Sequence, residues 1–166
     1  MNWYVAQVMT GKEESITNRI RELGIKAIVP IRVMREMKNG TWRNIERVLF
    51  PSYVFVHTGM DVETYYKLKP IPGIIRFLGE ESGAVPIQEE EVNLLLHLTK
   101  DGDPLGLSEV FVADSKVTVV SGPLQGLEGK IIKIDARRFR AKVDISFMGE
   151  PRIVELAVNV IKKSEA

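Results

Sequence analysis

The first hundred residues alternate between extended apolar segments and segments with helical spacing. Residues 3–9 are apolar, aromatic or β-branched and predict a strand, and apolar positions recur every three to four residues from 16 to 23, which predicts a helix. Thr10 and Glu13 stand three positions apart just before that helix, which is the spacing of a capping box. The pattern therefore predicts a mixed α and β domain over residues 1–100.

The rest of this domain is predicted to contain a hairpin, two further strands and two further helices. Residues 26–35 and 41–49 are extended and β-rich, and Asn39-Gly40 between them is typical of a two-residue hairpin turn. The further strands are expected at residues 53–56 and 74–78, and the further helices at residues 62–68 and 89–98.

From Val110 onward, the apolar positions recur almost throughout with a period of two, which is typical of strands. The stretch before it, residues 99–108, has no apolar period and is rich in Asp, Gly and Pro, so we place a linker at residues 101–113. Five short strands separated by turns then predict a small β-barrel over residues 114–166, because closure of the sheet removes its exposed edges.

The composition is that of an ordinary globular protein, and its charge is unevenly distributed. The 166 residues are 45% hydrophobic and 27% charged, and 23 basic against 22 acidic residues give a net charge of +1. Divided at Ala113, the chain carries −2 in its first part and +3 in its second. Between Lys130 and Lys142 there are six basic residues against Asp135 alone. Near-neutrality is therefore an average over two unlike surfaces.

A hairpin centred on residues 135–138 would bring these cations to one edge of the barrel. Cations attract nucleic-acid phosphates, and an aromatic ring can stack on a base. The alternative is a solvated strand edge that its charge protects from aggregation. A second basic group on the earlier hairpin (Arg32, Arg35, Lys38, Arg43 and Arg47) leaves the same two alternatives open. The candidate RNA-binding residues are Lys130, Lys133, Arg137, Arg138, Phe139, Arg140 and Lys142.

Candidates for catalysis or metal binding are few. The chain has no cysteine, which excludes disulfides, thiolate nucleophiles and Cys-ligated zinc and fits a reducing cytosol. Its two histidines, His57 and His97, have no partner at metal-ligand spacing. Glycines between two strands are expected to shape a turn and not to bind phosphate, and we assign that structural role to Gly122, Pro123, Gly126 and Gly129. We therefore expect neither an enzyme nor a bound metal or cofactor.

The chain also shows no sign of membrane targeting. Its N-terminus has no basic segment followed by an apolar one, and no apolar run approaches the roughly 18 residues of a membrane helix. We expect a cytoplasmic monomer without membrane contact.

Five runs of residues are informative when taken together: Trp3-Tyr4-Val5, residues 50–56, Pro72-Gly73-Ile74, Phe77-Leu78-Gly79 and residues 119–131. These runs resemble the NusG family of transcription elongation factors. They follow one another in the family's order along nearly the whole chain, and the last is similar to the KOW motif, which ribosomal proteins also carry. The resemblance implies an α+β protein, with an N-terminal NGN domain (an antiparallel sheet flanked by helices) and a C-terminal, SH3-like KOW β-barrel.

This resemblance implies RNA polymerase as a partner. Family NGN domains lay an apolar patch on the clamp helices of the largest subunit and reach the gate loop of the other large subunit. By position, Tyr53, Phe55 and Phe77 correspond to the patch, and Tyr4 lies nearby. Core packing is the alternative for Phe55 and Phe77, and exposure at the surface would favour an interface. The gate-loop contact corresponds to Thr64, Tyr65 and Tyr66.

Two departures from the family pattern point to a specialised member. General NusG proteins usually carry Phe-Gly-Arg in a KOW loop that contacts Rho or a ribosomal protein, whereas residues 148–150 are Met-Gly-Glu. Non-template DNA is a partner of some bacterial members, which read it with an Asn-Thr pair. Here Pro70-Ile71 stands at that place and offers no side-chain hydrogen bonds. We therefore expect no base-specific reading of non-template DNA.

With a basic hairpin added, the chain is most similar to the LoaP group, antiterminators of long biosynthetic operons that are recruited through an RNA hairpin in the nascent leader. The sequence thus predicts a non-enzymatic processive antiterminator that binds polymerase and a nascent RNA hairpin. A housekeeping NusG remains an alternative. So does a ribosome-associated or RNA-modifying protein of another class.

Overall fold

The computed structural model describes residues 1–80, 83–99 and 104–161, and the chain divides into two units. One unit comprises Met1–Val29 and Val48–Asn93, and the other comprises Pro30–Arg47 and Leu94–Ala166. The start of the predicted linker and residues 162–166 of the predicted barrel domain lie outside the described residues. The hairpin at residues 30–47 differs from its predicted place, since it clusters with the C-terminal half of the chain.

The described residues form three α-helices, thirteen strands and one short 3₁₀ turn (Glu128–Lys130). In chain order, the helices and strands are β1 (Asn2–Val8), α1 (Glu13–Glu22), β2 (Lys26–Ile28), β3 (Ile31–Lys38), β4 (Thr41–Val48), β5 (Tyr53–Thr58), α2 (Val62–Leu68), β6 (Ile74–Phe77), β7 (Gly79–Glu80), β8 (Gly83–Ala84), α3 (Glu89–Leu98), β9 (Ser108–Ala113), β10 (Lys116–Ser121), β11 (Ile131–Asp135), β12 (Arg140–Asp144) and β13 (Ile153–Ile161).

The first unit is built on a four-stranded antiparallel sheet in the order β2-β5-β1-β6. Side chains alternate between the two faces of a strand, and β1 is buried on both. Tyr4 and Ala6 join Ile16 of α1 and Leu68 of α2 in one core cluster. This packing matches the predicted sheet with helices. It also determines which side of α2 faces the core and which side faces solvent.

The start of α1 differs from the predicted capping box. Its N-cap residue makes no side-chain cap hydrogen bond, and the Thr10 hydroxyl is bonded instead to the Ser52 hydroxyl, 2.5 Å away. The Glu13 carboxylate accepts hydrogen bonds from the N–H groups of Gly11 (2.6 Å) and Ser52 (3.0 Å), and its residue is only 3% exposed. Glu13 therefore joins the helix start to the loop before β5, a long-range partner that no local motif reveals.

The second unit contains a five-stranded sheet in the order β10-β9-β13-β12-β11, in which only the β13–β9 pair is parallel. One prediction is corrected here. Residues 108–113, which were assigned to the linker, form β9, because Ser108 and Val110 are buried against neighbouring strands. Residues 153–161 form one continuous strand, β13.

The predicted extended segment 26–35 is also divided, between β2 and β3, at Pro30, which has no N–H to give to a ladder. The two central turn residues after β3, Asn39 and Gly40, have φ of 52° and 78°, as a type I′ hairpin turn requires. No helix among the described residues is long and apolar enough to cross a membrane.

Candidate nucleic-acid interface

The β11–β12 hairpin lies at one edge of the second unit's sheet, and a tight turn holds its tip. The Asp135 carboxylate accepts a hydrogen bond from the backbone N–H of Arg138 (3.2 Å), and Phe139 closes the turn with a φ of 57°. The side chains of Arg137 and Arg138 are exposed at this tip. The local sequence thus fixes the backbone and leaves two cations at the surface.

Two lysines of this hairpin stand directly opposite each other. Lys133 of β11 and Lys142 of β12 are register partners, and both are exposed on the outer side of the sheet. Like charges at directly opposed positions destabilise a strand pair. An anion bound between them would offset that repulsion.

The same lysines line a cavity of about 130 Å³. The wall also contains an ion pair between Arg140 and Glu155 (Nη1 to Oε2, 2.7 Å), which neutralises itself. The three remaining cations face one carboxylate, so the cavity carries a net positive charge suited to a phosphate. We call this cavity the phosphate pocket; its lining residues are Lys133, Asp135, Arg138, Arg140, Lys142 and Glu155.

Arg140, one of the candidate RNA-binding residues, is held in place by the fold. Its carboxylate partner, Glu155, is also contacted by Arg32, whose guanidinium donates a hydrogen bond to the Glu155 carbonyl oxygen. Burial is the main cause that lowers the pKa of Arg32; Glu155 raises this pKa and Arg140 lowers it. Arg140 therefore acts first as a support for the pocket wall.

Phe139 is likewise engaged by protein groups. The Arg35 guanidinium carbon lies 4.3 Å from the centre of its ring, and the Trp42 ring lies 5.1 Å away at 85°. Both partners come from the β3–β4 hairpin of the same unit. The ring expected to stack on a base is thus already packed.

The other predicted RNA-binding residues lie away from the phosphate pocket. Lys130 ends the 3₁₀ turn before β11, and Arg137 projects from the hairpin tip, and neither lines the cavity. Of the candidate RNA-binding residues, the structure brings together Lys133, Arg138, Arg140 and Lys142.

Gly122 is the residue of the glycine-rich turn at which the fold most clearly requires glycine. Gly122 has a φ of 101°, and a Cβ there would lie 2.5 Å from Ser108 Cα and 2.8 Å from the Leu107 carbonyl oxygen. The Ser108 hydroxyl in turn accepts a hydrogen bond from the Leu124 N–H (3.0 Å). Gly126 has a φ of 83° with open space around it, and open space also surrounds Gly129 in the 3₁₀ turn. Pro123 follows Gly122 in the turn and is half-buried.

The predicted aromatic patch for polymerase is mostly core, so this prediction is corrected. Phe55 is 1% exposed and pairs with Val5 across the sheet, beside the Phe50 ring at 5.7 Å. Tyr4 and Phe77 belong to the core cluster. Both faces of this sheet are covered, which buries aromatics that the sequence pattern left open.

The residues on and beside α2 keep surface instead. Tyr53 and Thr64 are half-buried, and Tyr66 is 64% exposed. Tyr65 packs on Phe77 at 6.0 Å. Val62 lies one helical turn before Tyr66, so the two side chains are neighbours on the helix surface. Val62 is 73% exposed, although valine is usually a core residue. Val62 and Tyr66 form an exposed apolar strip on α2.

Neither His57 nor His97 lines the phosphate pocket. The His57 ring lies 4.8 Å from the Trp3 ring, and burial, followed by Lys26 and the N-terminal amine, lowers the His57 pKa. His97 is exposed near the end of α3. Within the described part of the chain, no group of three His, Cys, Asp or Glu side chains could hold a metal ion.

The described fold is that of a two-unit protein, with an α/β sheet unit and a mostly β unit that carries the basic edge. The family described as "Transcription termination factor nusG" matches residues 1–96, and the one described as "KOW motif" matches residues 113–144. The chain therefore belongs to the NusG family. The predicted α+β class, an NGN domain followed by a KOW domain, is confirmed.

Similar proteins match along nearly the whole chain. A transcription termination/antitermination protein NusG of Vibrio cholerae is 30% identical, covering 97% of this chain and 94% of that protein. The protein of the same name from Escherichia coli strain K12 is 28% identical, covering 98% and 96%. A solved structure titled "Domain interaction in Thermotoga maritima NusG" has a TM-score of 0.61 at 25% identity, covering 95% and 93%.

Proposed function

We propose that this protein is a cytoplasmic transcription factor that binds RNA polymerase and promotes processive antitermination after recruitment by an RNA hairpin in the nascent leader. The NGN domain holds the polymerase while the KOW domain holds the RNA. The observation that carries the proposal is the phosphate pocket, in which three cations that form no ion pair among the described residues line a cavity of about 130 Å³.

The pocket has two features that a merely solvated edge does not need. A solvated edge is protected by any scattered charge, whereas Lys133 and Lys142 are directly opposed and repel each other. In addition, the Arg140–Glu155 ion pair and the Asp135 turn set the position of the wall. Nucleic-acid affinity comes chiefly from phosphate contacts of this kind, and single-stranded loops supply the sequence choice.

Polymerase binding is supported by family membership and by the exposed strip on α2. The relatives named transcription termination/antitermination proteins align along the whole NGN domain. Exposed apolar side chains in a cluster mark interaction surfaces. We therefore assign the polymerase contact to Val62 and Tyr66, with Tyr53 and Thr64 beside them, in place of the buried aromatics.

Replacing Tyr66 by alanine is expected to weaken binding to core RNA polymerase about tenfold, because aromatic residues dominate interface energies. Tyr66 is 64% exposed, so the fold should persist. Affinity for immobilised polymerase measures the effect. Leu23→Ala, which removes an apolar side chain that is 47% exposed after α1, is the matched control. Equal affinities for the two variants would contradict the assignment of the strip.

A housekeeping elongation factor is the second candidate, and a specific observation favours it. The NusG relatives named for termination and antitermination match 97–98% of this chain. The turn at residues 148–150 favours a specialised factor instead. Met148 and Gly149 have φ of 56° and 74° there, and the Glu150 Oε2 atom lies 3.6 Å from the Arg152 Nη2 atom. An acidic residue is thus placed where general family members carry arginine.

The two candidates differ in their dependence on a leader. Terminator readthrough is measured with purified polymerase on templates that carry or lack the transcribed leader of the operon next to the gene. An antiterminator recruited by RNA raises readthrough only when the leader is present. An equal effect on every template supports the housekeeping function and contradicts the proposal.

A further inference from the structure

We propose that the β3–β4 hairpin forms part of the RNA-binding surface and that Trp42 stacks on an unpaired RNA base. This inference rests on the proposed function, since it extends the surface of the phosphate pocket. It assigns an RNA contact to a segment that precedes the KOW motif by some seventy residues of sequence.

The hairpin is hydrogen-bonded to other segments of its unit. The N–H of Val33 donates to the Leu105 carbonyl oxygen at 2.8 Å, and Arg32 donates to the Glu155 carbonyl oxygen. Met34, the residue after Val33, is only 2% exposed. A ribbon anchored in this way presents its side chains in fixed positions, as an interface requires.

Trp42 keeps aromatic surface for a further partner. Its ring stands nearly perpendicular to the Phe139 ring, at 85° with the centres 5.1 Å apart. In a perpendicular pair, the partner ring contacts either the edge or one face of the indole. The Phe139 contact therefore leaves at least one indole face uncovered. The residue is half-buried, so that part of it reaches solvent. Arg35, 4.3 Å from the Phe139 ring, places a cation in the same cluster.

The cluster adjoins the phosphate pocket along the chain. Phe139 lies between Arg138 and Arg140, which both line the pocket, and Glu155 links the pocket wall to Arg32 of the hairpin. A nucleotide whose phosphate occupies the pocket would therefore bring a neighbouring base toward Trp42. Phosphate binding combined with base stacking is the usual means of holding single-stranded RNA.

Charge supports the same surface. The hairpin carries five basic residues and two acidic ones. Among its described residues, the only ion pair within the hairpin joins Arg47 to Glu36. Counted over the two structural units, the chain has −3 in the first and +4 in the second. Because the basic hairpin belongs to the second unit, the two units differ more in net charge than the two parts of the chain divided at Ala113.

Trp42 fluorescence tests the inference directly. Trp3→Phe leaves Trp42 as the sole tryptophan, because the chain has two. The probes are RNA hairpins with one fixed stem and a randomised loop, and the control RNA is the same stem as a duplex without a loop. We expect the loop RNA to quench Trp42 emission and the duplex to leave it nearly unchanged, since only unpaired bases stack on side chains.

Substitutions give the second readout. Trp42→Leu keeps an apolar side chain against Phe139 but removes the stacking face, and it should weaken binding of the loop RNA about tenfold. Trp42→Phe should retain most of the affinity. A loss with leucine that phenylalanine rescues is not expected of a purely apolar packing contact.

The outcomes separate this inference from the proposed function. Bound loop RNA that neither quenches Trp42 nor discriminates between leucine and phenylalanine would overturn the role of the hairpin and leave the phosphate pocket standing. Failure of the wild-type protein to bind either the RNA pool or the operon leader would overturn both. Quenching of equal size by the loopless duplex would also contradict base stacking.

Discussion

Replacing Lys133 and Lys142 together by glutamine is expected to weaken RNA binding about a hundredfold, because each lysine loses a charge-assisted contact worth about tenfold. The slope of log affinity against log salt should become shallower by about one to two units, since fewer counterions are released on binding. The variant should nevertheless be at least as stable as the wild-type protein, because the opposed lysines repel each other when no anion is bound.

Binding titrations at several salt concentrations and urea unfolding together check this result. The matched control replaces two other exposed lysines, Lys12 and Lys116, by glutamine. The control variant therefore has the same net charge as the Lys133, Lys142 double variant. Lys116 lies on β10, at the edge of the sheet opposite β11. Affinity and salt slope equal to those of the control variant would show that only overall charge matters and that the pocket is not a site.

Gly122→Ala is expected to destabilise the KOW domain by about 3 kcal/mol or more. The φ of 101° is strained for any residue with a side chain, and the added Cβ would meet backbone atoms of Leu107 and Ser108 that cannot rotate away. The matched control is Gly126→Ala, at a φ of 83° with open space around the new Cβ, which should cost only about 1 kcal/mol.

Urea unfolding followed by Trp42 emission in the Trp3→Phe background measures this difference, because Trp42 contacts the KOW domain through Phe139. Circular dichroism at the same urea concentrations reports whether the first unit unfolds separately. If the two glycine variants unfolded at the same urea concentration, the close approach of Gly122 to Ser108 would not be a requirement of the fold.

Much of the fold follows from local signals in the sequence. The helix α2 begins after Asp61, whose carboxylate accepts the Thr64 N–H at 2.7 Å, and this hydrogen bond is the main cause that lowers the Asp61 pKa. The bounds of α2 and α3 agree with the prediction because apolar period, caps and proline act within a few residues. The basic hairpin at residues 131–144 was predictable for the same reason.

The errors arose where contacts distant in sequence decide the outcome. The capping role of Thr10 is displaced by a partner forty-two residues away, Ser52. Phe139 is packed by Trp42, which lies nearly a hundred residues earlier. Burial of Phe55 depends on what covers the second face of a sheet, which a period of two does not reveal. For the candidate site, sequence identified the cations but not which of them the fold would use.

Leader-dependent readthrough by the Lys133, Lys142 double variant tests the central claim most directly. Transcription is followed on the template with the operon leader and on the leaderless template, with the Lys12, Lys116 variant as control. We predict that the double variant reads through the terminator no better with the leader than without it, although it binds polymerase normally. Leader-dependent readthrough equal to that of the wild-type protein would contradict recruitment through the phosphate pocket.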